Sequence, residues 1–337
     1  MRILVTGGGG FVGSHLVESQ LGQGHTVCAL DLHTDRLTHL AKHPSLEVMM
    51  GDITDSRLLG RVMAGIDTVY HLASAHLDVS LPATRYRQVN VEATLGLLHA
   101  AREAGVRRVV HCSSAGVLGD IVGTPADELT PCQPTNVYEQ TKWEGEQAAL
   151  GFAEETGLQV VVARPAWVYG PRCPRTERLF RAIRKGRFVI LGDGKNLRHP
   201  IYVSDAVRGL ELCSQVPRAT GEVYLLGGEE IVPIGTLVRL VAETAQVRLC
   251  RWHLPMWWAT PLGFALETAC RPLGVKPPFS RRSIDFFQKN NAYDIGKARR
   301  ELDYRPLVDL RSGLATTWHW LSEGSFSECS EVKHGSF

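Results

Sequence analysis

The 337-residue sequence has no marked excess of charge of either sign, because 37 Lys and Arg residues face 35 Asp and Glu residues. It therefore lacks the basic excess that is typical of nucleic-acid-binding proteins. It also has no long apolar run. The longest stretch, Leu254–Leu266, contains Pro255 and Pro261 and falls short of the roughly 20 residues that a bilayer-spanning helix needs. We expect no nucleic-acid partner and no integral membrane span.

None of the eight cysteines belongs to a Cys-x-x-Cys pair, so the most common signals for a zinc site or a redox dithiol are missing. No cluster of His, Cys and carboxylate residues is visible in the sequence either, and we expect no bound metal. Several cysteines lie in apolar runs, as reduced core cysteines do. Because the sequence begins with a strand-like run rather than a charged leader, we predict a cytoplasmic protein.

Short β-branched runs alternate with amphipathic segments through the first half of the chain. The predicted strands are Arg2–Val5, Thr26–Leu30, Glu47–Met50, Thr68–Leu72, Arg108–Cys112 and Val160–Ala163. Between them, apolar residues at three- and four-residue spacing predict helices. The clearest of these are Val12–Leu21, Tyr86–Glu103 and Val137–Glu155. This alternation predicts an α/β fold with a doubly wound parallel sheet.

The regular alternation weakens after about Arg164, where prolines become more frequent. We predict that residues 1–165 and about 197–228 form the main domain, with Pro200–Cys213 and Glu222–Leu226 returning to its sheet. Residues of about 166–196 and 229–320 are predicted to form a smaller C-terminal substrate-binding lobe. Residues 322–337, dominated by Ser, Glu and Gly, are predicted to be a disordered tail.

A glycine-rich loop directly follows the first predicted strand and leads into a helix. Its glycines fit two registers, which share Gly10 and Gly13 and begin at either Gly7 or Gly8. Either register gives a tight turn and a bare backbone beside a helix N-terminus, whose free N–H groups attract a pyrophosphate. The sequence therefore predicts a dinucleotide site, formed here by Gly7, Gly10, Phe11, Val12 and Gly13.

An acidic residue at the end of the second predicted strand supports this interpretation. Asp31 follows Gly13 by 18 residues, the spacing at which a carboxylate meets the adenosine ribose. Its charge would repel a 2′-phosphate, so NAD is favoured over NADP; Arg36 nearby keeps NADP open. Asp52 and Ile53 end the third predicted strand, where they could border the adenine, although Asp52 could equally cap a helix.

Tyr138 and Lys142 lie four residues apart in a predicted helix, which places both side chains on one face. A lysine ammonium beside a phenol lowers the phenol pKa from about 10, and such a phenol can exchange a proton with a substrate oxygen near neutral pH. Ser113 and Ser114 follow the strand Arg108–Cys112 and could donate a hydrogen bond to the same oxygen. The Tyr-x-x-x-Lys spacing and the loop serines are each common in isolation. Because they occur here in a chain with a predicted dinucleotide site, together they predict a catalytic centre.

The sequence resembles the extended short-chain dehydrogenases/reductases, the NAD-dependent epimerase/dehydratase group, from residue 1 to about 320. The matching motifs are Thr6–Gly13, Gly51-Asp52, His71–Ser74, Asn90-Val91, Ser113-Ser114, Tyr138-x-x-x-Lys142, Arg164-Pro165-x-x-Val168-Tyr169-Gly170-Pro171 and Lys297–Pro306.

This resemblance implies a Rossmann domain that binds NAD, with Ser114, Tyr138 and Lys142 as the catalytic residues. It implies that Lys142 also holds the nicotinamide ribose. Further cofactor contacts are implied for Leu72, Ala73, Ser74, Pro165 and Val168. Members of the family often form homodimers through two helices per subunit, for which Tyr86–Glu103 and Val137–Glu155 are the candidates.

The reaction type is open at this stage. Dehydratases of the family carry an Asp-Glu pair directly after the catalytic hydroxyl, where this sequence has Ala115 and Gly116, so we predict no dehydration. For a nucleotide-sugar 4-epimerase or reductase, Arg198 matches the arginine that binds the substrate diphosphate, a role suited to its planar fork. It could equally pair with a surface carboxylate. Trp167 replaces the usual Asn of the substrate site and argues against a nucleotide sugar.

The segment Trp252–Pro278 favours a lipophilic substrate instead. It resembles the C-terminal lobe of 3β-hydroxysteroid dehydrogenase and sterol-4-carboxylate dehydrogenase relatives, with Trp257-Trp258 and Pro277-Pro278-Phe279 as its most apolar parts. Such residues could wall a lipophilic pocket, contact a membrane surface, or form the core of the small lobe. A dehydrogenase or ketone reductase of steroid-like alcohols is our first hypothesis and a nucleotide-sugar enzyme the second. A catalytically silent NAD-binding protein comes last, because the three catalytic residues are intact.

Overall fold

The computed structural model describes residues 1–76, 81–123, 125–186, 188–249, 253–257 and 286–325. Thirteen strands are described: β1 Arg2–Thr6, β2 Thr26–Asp31, β3 Leu46–Met50, β4 Thr68–His71, β5 Arg108–Cys112, β6 Gln159–Pro165, β7 Trp167–Tyr169, β8 Ile190–Leu191, β9 Leu197–Arg198, β10 Pro200–Tyr202, β11 Val223–Leu226, β12 Val232–Pro233 and β13 His253–Leu254.

Ten α-helices lie in the same ranges: α1 Phe11–Gly22, α2 Ser56–Val62, α3 Ala83–Arg87, α4 Ala93–Glu103, α5 Val137–Thr156, α6 Pro174–Arg184, α7 Val203–Gln215, α8 Ile234–Thr244, α9 Gly296–Leu302 and α10 Leu310–Trp320. Short 3₁₀ turns span Asp35–Leu40, Ala115–Leu118 and Pro217–Ala219, and π turns span Gln88–Glu92 and Leu321–Ser325.

Seven strands form one fully parallel sheet in the order β11-β6-β5-β4-β1-β2-β3. The predicted Rossmann sheet is therefore confirmed, and each of the six strands predicted in the first half is present. From β1 the sheet is extended in one direction by β2 and β3 and in the other by β4 and the later strands, so the switch point lies between β1 and β4. In open α/β sheets a ligand binds beyond the carboxyl ends of the strands at such a switch point.

Each face of the sheet is covered by helices, because its strands are apolar on both faces. One buried cluster joins the sheet to α1 and α7 and includes Leu16, Tyr70 and Leu210. The opposite cluster joins it to α2, α4 and α5 and includes Leu59 and Leu97. The core thus fixes α1 and α5, which carry the predicted cofactor and catalytic residues.

Three details differ from the sequence-based predictions. Pro200–Tyr202 does not enter the main sheet; it pairs with β7 in a separate two-stranded sheet, while α7 packs on the main sheet and β11 joins it. The helix predicted over Tyr86–Glu103 is interrupted by the π turn Gln88–Glu92. The predicted tail begins with a helical turn that ends at Ser325.

A third buried cluster lies in the C-terminal part of the chain, where α6, α8 and α10 contact one another. It includes Phe180, Leu237 and Leu314. Of the apolar segment Trp252–Pro278, only residues 253–257 are described; the remainder of that prediction and residues 326–337 lie outside the described residues. In the described parts, no helix has both the length and the apolar character to cross a bilayer.

Candidate active site

The glycine-rich loop connects β1 to α1 at the switch point of the sheet. Gly7 has a positive φ of 73°, and a Cβ there would lie 2.6 Å from the amide nitrogen of Ala73. A Cβ at Gly13 would lie 2.0 Å from the carbonyl oxygen of Gly7. These two positions need glycine because the loop folds back on α1 while packing against the chain after β4. The predicted residues Leu72 and Ala73 are thereby placed beside the loop.

The N-terminus of α1 fits a pyrophosphate. Its N-cap residue is Gly10, which has no side chain that could accept a hydrogen bond from the first-turn N–H groups. These groups and the helix dipole remain available to an anion. Phe11 and Val12, the first two helical residues, are half-buried at this end. The sequence-predicted phosphate site is therefore assembled in one place.

Asp31 lies at the end of β2, directly beneath the loop. Its Oδ2 accepts a hydrogen bond from the Gly9 amide at 3.0 Å, and its Oδ1 accepts one from the His33 amide at 3.1 Å. Arg36 Nη1 donates to the Gly9 carbonyl oxygen at 3.3 Å. Asp31, whose carboxylate favours NAD, and Arg36, whose guanidinium could accept the 2′-phosphate of NADP, therefore border the same loop.

Asp52 forms an ion pair that the sequence did not indicate. Its Oδ2 lies 2.5 Å from Nη2 of Arg85, and its Oδ1 accepts from the Thr54 amide. Burial alone would raise the pKa of this carboxyl, but the hydrogen bonds from Thr54 and Arg85 lower it below its usual range. Ile53 beside it is buried. Both predicted adenine-side residues lie where β3 ends.

The predicted catalytic residues are carried by α5 and by the chain directly after β5. α5 begins after Asn136, whose side chain accepts from the Glu139 amide and so caps the helix. This cap sets Tyr138 in the first turn and Lys142 one turn later. Lys142 Nζ donates to the Cys112 carbonyl oxygen at 2.6 Å, which ties α5 to the end of β5.

Of the two serines after β5, Ser114 is half-exposed and Ser113 is buried. Ser114 Oγ accepts a hydrogen bond from the Gly116 amide at 3.1 Å. Because that bond uses an oxygen lone pair, the hydroxyl proton is left to donate elsewhere. This orientation suits the role predicted for Ser114.

Two buried histidines lie beneath Lys142. The rings of His71 and His111 are 5.3 Å apart, and His71 bridges Thr6 and Thr94 by hydrogen bonds of 2.7 and 3.0 Å. Burial, followed by the charge of Lys142, lowers the pKa of His71 to about 3 and that of His111 well below its usual range. Burial also lowers the pKa of Lys142. Neither ring therefore adds a positive charge beside the ammonium.

The substrate side of the site carries aromatic residues. Trp167 follows Pro165 at the start of β7; its ring lies 6.0 Å from that of Tyr169 and 6.3 Å from that of Phe286. Val168, half-buried, follows on the same strand. Pro165 ends β6 and is buried. Pro165 and Val168, predicted to contact the nicotinamide, and Trp167, predicted to contact the substrate, are therefore close together in the chain at the end of β6 and the start of β7.

Arg198 has a different environment from either predicted one. It is 4% exposed, and its guanidinium donates to the carbonyl oxygens of Phe286 and Lys289 and stacks on the Phe286 ring at 4.7 Å. Burial lowers its pKa to about 10. Among the described residues, Arg198 forms no ion pair with a carboxylate; it holds the segment 286–291 against β9.

Four polar residues that the sequence did not indicate lie close to Tyr138 or its neighbour Glu139 in the structure. His76 lies with its ring 4.5 Å from that of Tyr138, and its Nε2 is 2.7 Å from Nη2 of Arg175. Glu139 pairs with Lys289 at 3.4 Å, and a Cβ added at Gly116 would lie 3.5 Å from Glu139 Cγ. No local motif marks these contacts, since they join residues far apart in the sequence.

A model of the NAD dependent epimerase/dehydratase family matches residues 3–227. The chain belongs to this family. Members are NAD-dependent enzymes, and the resemblance to extended short-chain dehydrogenases/reductases is confirmed.

Relatives in the family divide between the two substrate classes considered above. The chain is 31% identical over 334 residues to a 3-beta-hydroxysteroid dehydrogenase of Mycolicibacterium neoaurum, covering 93% of this chain and 89% of that protein. It is 34% identical over 334 residues to a dTDP-glucose 4,6-dehydratase of Streptomyces griseus, covering 95% and 93%.

Among solved structures, the dTDP-glucose 4,6-dehydratase DesIV from Streptomyces venezuelae, with NAD and TYD bound, superposes with a TM-score of 0.80 at 30% identity. It covers 96% of this chain and 98% of that chain. NAD is the cofactor of the family, and the uncapped α1 N-terminus and the Asp31 carboxylate fit it. Within the described ranges, no group of three or more His, Cys, Asp or Glu side chains could hold a metal.

Proposed function

We propose that the protein is an NAD-dependent oxidoreductase that interconverts a lipophilic, steroid-like secondary alcohol and its ketone. The observation that carries this proposal is that Lys142, one turn after Tyr138 on α5, is bonded to the carboxyl end of β5, which Ser114 follows by two residues. An enzyme that needs only a proton acceptor and a hydride acceptor requires no further acid or base.

In this mechanism Tyr138 accepts the hydroxyl proton of the alcohol, and Ser114 donates its free hydroxyl proton to the same substrate oxygen. Lys142 stabilises the tyrosinate through its charge, to which the neutral histidines below it add no second cation. NAD, when bound, supplies the hydride acceptor. The cofactor residues proposed are those of the loop, Asp31, Asp52-Ile53, Leu72–Ser74, Pro165 and Val168.

Two observations support a lipophilic substrate. Trp167 and Phe286 place an aromatic wall beyond the end of β6, and the guanidinium of Arg198 is committed to backbone carbonyls rather than to an open cleft. The 3-beta-hydroxysteroid dehydrogenase relative agrees with this class. We also propose that residues 166–196 and 229–320 form the substrate-binding lobe.

Absorbance at 340 nm with NAD and a 3β-hydroxysteroid tests the reaction. We expect Tyr138→Phe to lose at least about a hundredfold in kcat. Tyr224→Phe is the matched control. Tyr224 lies on the edge strand β11, and its hydroxyl donates a hydrogen bond to Glu301 at 2.8 Å, so this variant should keep full activity. Undiminished turnover by Tyr138→Phe would refute the proposal.

A nucleotide-sugar enzyme is the second candidate, and the 34% identity to a dTDP-glucose 4,6-dehydratase favours it. Calorimetry of the NAD-loaded protein with UDP and dTDP separates the two. We expect no tight binding of either nucleotide. Micromolar affinity would select the nucleotide-sugar function, for which a 4-epimerase fits Ala115 and Gly116 better than a dehydratase does, since neither supplies a carboxyl group.

A further inference from the structure

Arg172 has a backbone conformation that residues with a Cβ rarely adopt. Its φ is 68°, and only two other non-glycine residues share a positive φ in the described parts of the chain. Arg172 is the third residue of the turn 170–173, which connects β7 to α6 and is closed by a hydrogen bond from the Cys173 amide to the Gly170 carbonyl oxygen at 3.2 Å. After a proline, this is the position of a type II turn that favours glycine. Other contacts of Arg172 must therefore offset the strain of its backbone.

The guanidinium of Arg172 supplies these contacts, because it binds α1. Nη1 and Nη2 donate to the two carboxylate oxygens of Glu18 at 2.7 and 2.6 Å, the paired geometry of strong arginine–carboxylate contacts. Nη2 also donates to Nδ1 of His15 at 2.8 Å. His15 Nε2 in turn donates to the Pro171 carbonyl oxygen at 3.1 Å, since a carbonyl can only accept. Arg172 and His15 thus bind the turn 170–173 to α1 in both directions.

Burial and charge keep this contact intact at neutral pH. The side chain of Arg172 is 16% exposed and that of Glu18 is 31% exposed. Burial, followed by the charge of Arg172, lowers the pKa of His15 to about 4, so its ring is neutral and accepts from the guanidinium. Burial alone would raise the pKa of Glu18, but the hydrogen bonds and the charge of Arg172 lower it. Glu18 is therefore ionised when it accepts from Arg172.

The two sides of this contact belong to the two halves of the proposed cofactor site. α1 begins at the glycine-rich loop, and its first residue, Phe11, packs edge-on against His15 with the ring centroids 5.8 Å apart. The turn 170–173 directly follows β7, which carries Val168. The start of α1 is the pyrophosphate side of the site, and Val168 is proposed for the nicotinamide side. Arg172 therefore connects the two sides.

We propose that Arg172 is a positioning residue for the nicotinamide half of NAD. By holding the turn 170–173 against α1, it sets the position of the chain at Val168 relative to the pyrophosphate site. The guanidinium acts through the backbone of the turn, because its donors are directed at Glu18 and His15. This inference rests on the nicotinamide contacts of the proposed function.

Calorimetry with two ligands tests the inference without turnover. NAD and ADP-ribose share the adenosine and the pyrophosphate, but ADP-ribose lacks the nicotinamide ring. We expect Arg172→Gly, which suits the positive φ, to weaken NAD binding about tenfold and to change the ADP-ribose dissociation constant by less than about twofold. Arg172→Ala should show the same selective loss, because it removes the guanidinium without the flexibility of glycine. Glu18 is less suitable for replacement, since it also accepts from His39 Nε2 at 2.5 Å.

Asp303→Gly is the matched control. Asp303 also has a positive φ, of 51°, and its Oδ1 accepts from Arg305 Nε at 3.1 Å. It lies at the end of α9, which packs against the edge strand β11 rather than against α1. This variant should bind NAD and ADP-ribose as the unsubstituted protein does.

Three results would overturn the inference. Equal losses of NAD and ADP-ribose affinity in Arg172→Gly would mean that the guanidinium serves the pyrophosphate, or the structure of α1 as a whole. Unchanged NAD affinity in either Arg172 variant would mean that the turn is held without it. A selective loss of NAD affinity in Asp303→Gly would assign the effect to the backbone change. The proposed reaction is tested separately, by the turnover of Tyr138→Phe, and its failure would leave the binding comparison standing.

Discussion

The two buried histidines beside Lys142 are neutral, and this follows from their surroundings. His71 and His111 occupy paired positions on neighbouring strands and face α5, where no water reaches them. Protonating either ring would place a second positive charge beside a buried ammonium, at a high cost in free energy. Between the two histidines and Lys142, the positive charge therefore lies on Lys142, which contacts the end of β5.

This arrangement predicts an acid-sensitive fold. A histidine whose pKa is lowered in the folded protein binds its proton only in the unfolded chain, so stability is complete above about pH 6.5 and is lost as the pH falls below it. His111→Leu removes one such group. Between about pH 6 and pH 4.5, the free energy of unfolding of the variant should fall less steeply, by about 1.4 kcal/mol per pH unit.

Urea denaturation across this pH range measures the difference. His111 is the appropriate residue because neither ring nitrogen has a hydrogen-bond partner within the described residues, so its removal breaks no bond there. Identical pH dependence of the two proteins would show that His111 is already protonated in the folded state.

We propose that Asp31 determines the choice between NAD and NADP. Asp31→Asn keeps an oxygen for the Gly9 amide but removes the charge, while Arg36 stays beside the loop. We expect the ratio of the NADPH and NADH dissociation constants to fall by at least about tenfold, because the repulsion of a 2′-phosphate disappears. Fluorescence titration measures both constants. An unchanged ratio would assign cofactor selection to another residue.

The sequence predicted Ser114, Tyr138 and Lys142 because each lies in a short motif tied to one turn of one element. It could not predict the contact of His76 with Arg175, since these residues are 99 positions apart and meet only through the fold. The same holds for Arg198. Its position in the sequence suggested a ligand site, but the direction of its side chain depends on carbonyl groups about 90 residues later.

At the scale of elements, close packing against the chain at Asn90 sets the position of α5, which carries Tyr138 and Lys142. Gly145 packs so closely that a Cβ there would lie 2.2 Å from the Asn90 carbonyl oxygen. Asn90 lies in the π turn, and its side chain bonds Ala75 and Thr141. The periodicity of apolar residues predicted one continuous helix here, because it carries no information about a widened turn that such contacts favour.

Gly145→Ala should therefore destabilise the protein by about 1–3 kcal/mol, since α5 must move away from the π turn. Gly151→Ala in the same helix is its matched control, because a Cβ there meets nothing within 4 Å; it should stabilise by up to about 1 kcal/mol. Chemical denaturation of both variants gives the comparison. Equal stability of the two would mean that α5 is not held at Gly145.

For the whole molecule, the parallel sheet was predictable because buried strands and amphipathic helices alternate through the first 165 residues. The small pairings β7–β10, β8–β13 and β9–β12 were not, since they are two or three residues long and depend on distant partners. The segment 286–294 joins these parts. It bonds β9, the loop at Asp120 and Ile121, and, through Lys289, the start of α5.

Arg198 lies at the centre of this junction. Its replacement distinguishes a structural role of the guanidinium from a role in ligand binding. Arg198→Ala leaves the carbonyl groups of Phe286 and Lys289 with only the longer hydrogen bonds from Asn196 Nδ2, at 3.2 and 3.3 Å, so we expect a loss of about 2–3 kcal/mol in the free energy of unfolding. Arg208→Ala, which removes a half-buried guanidinium bonded to the Arg305 carbonyl oxygen at 3.1 Å, should lose about 1 kcal/mol or less. Urea denaturation compares the two. If Arg198→Ala matched Arg208→Ala in stability and instead abolished binding of UDP or dTDP, the guanidinium would belong to a ligand site, and the nucleotide-sugar function would replace the steroid-like one.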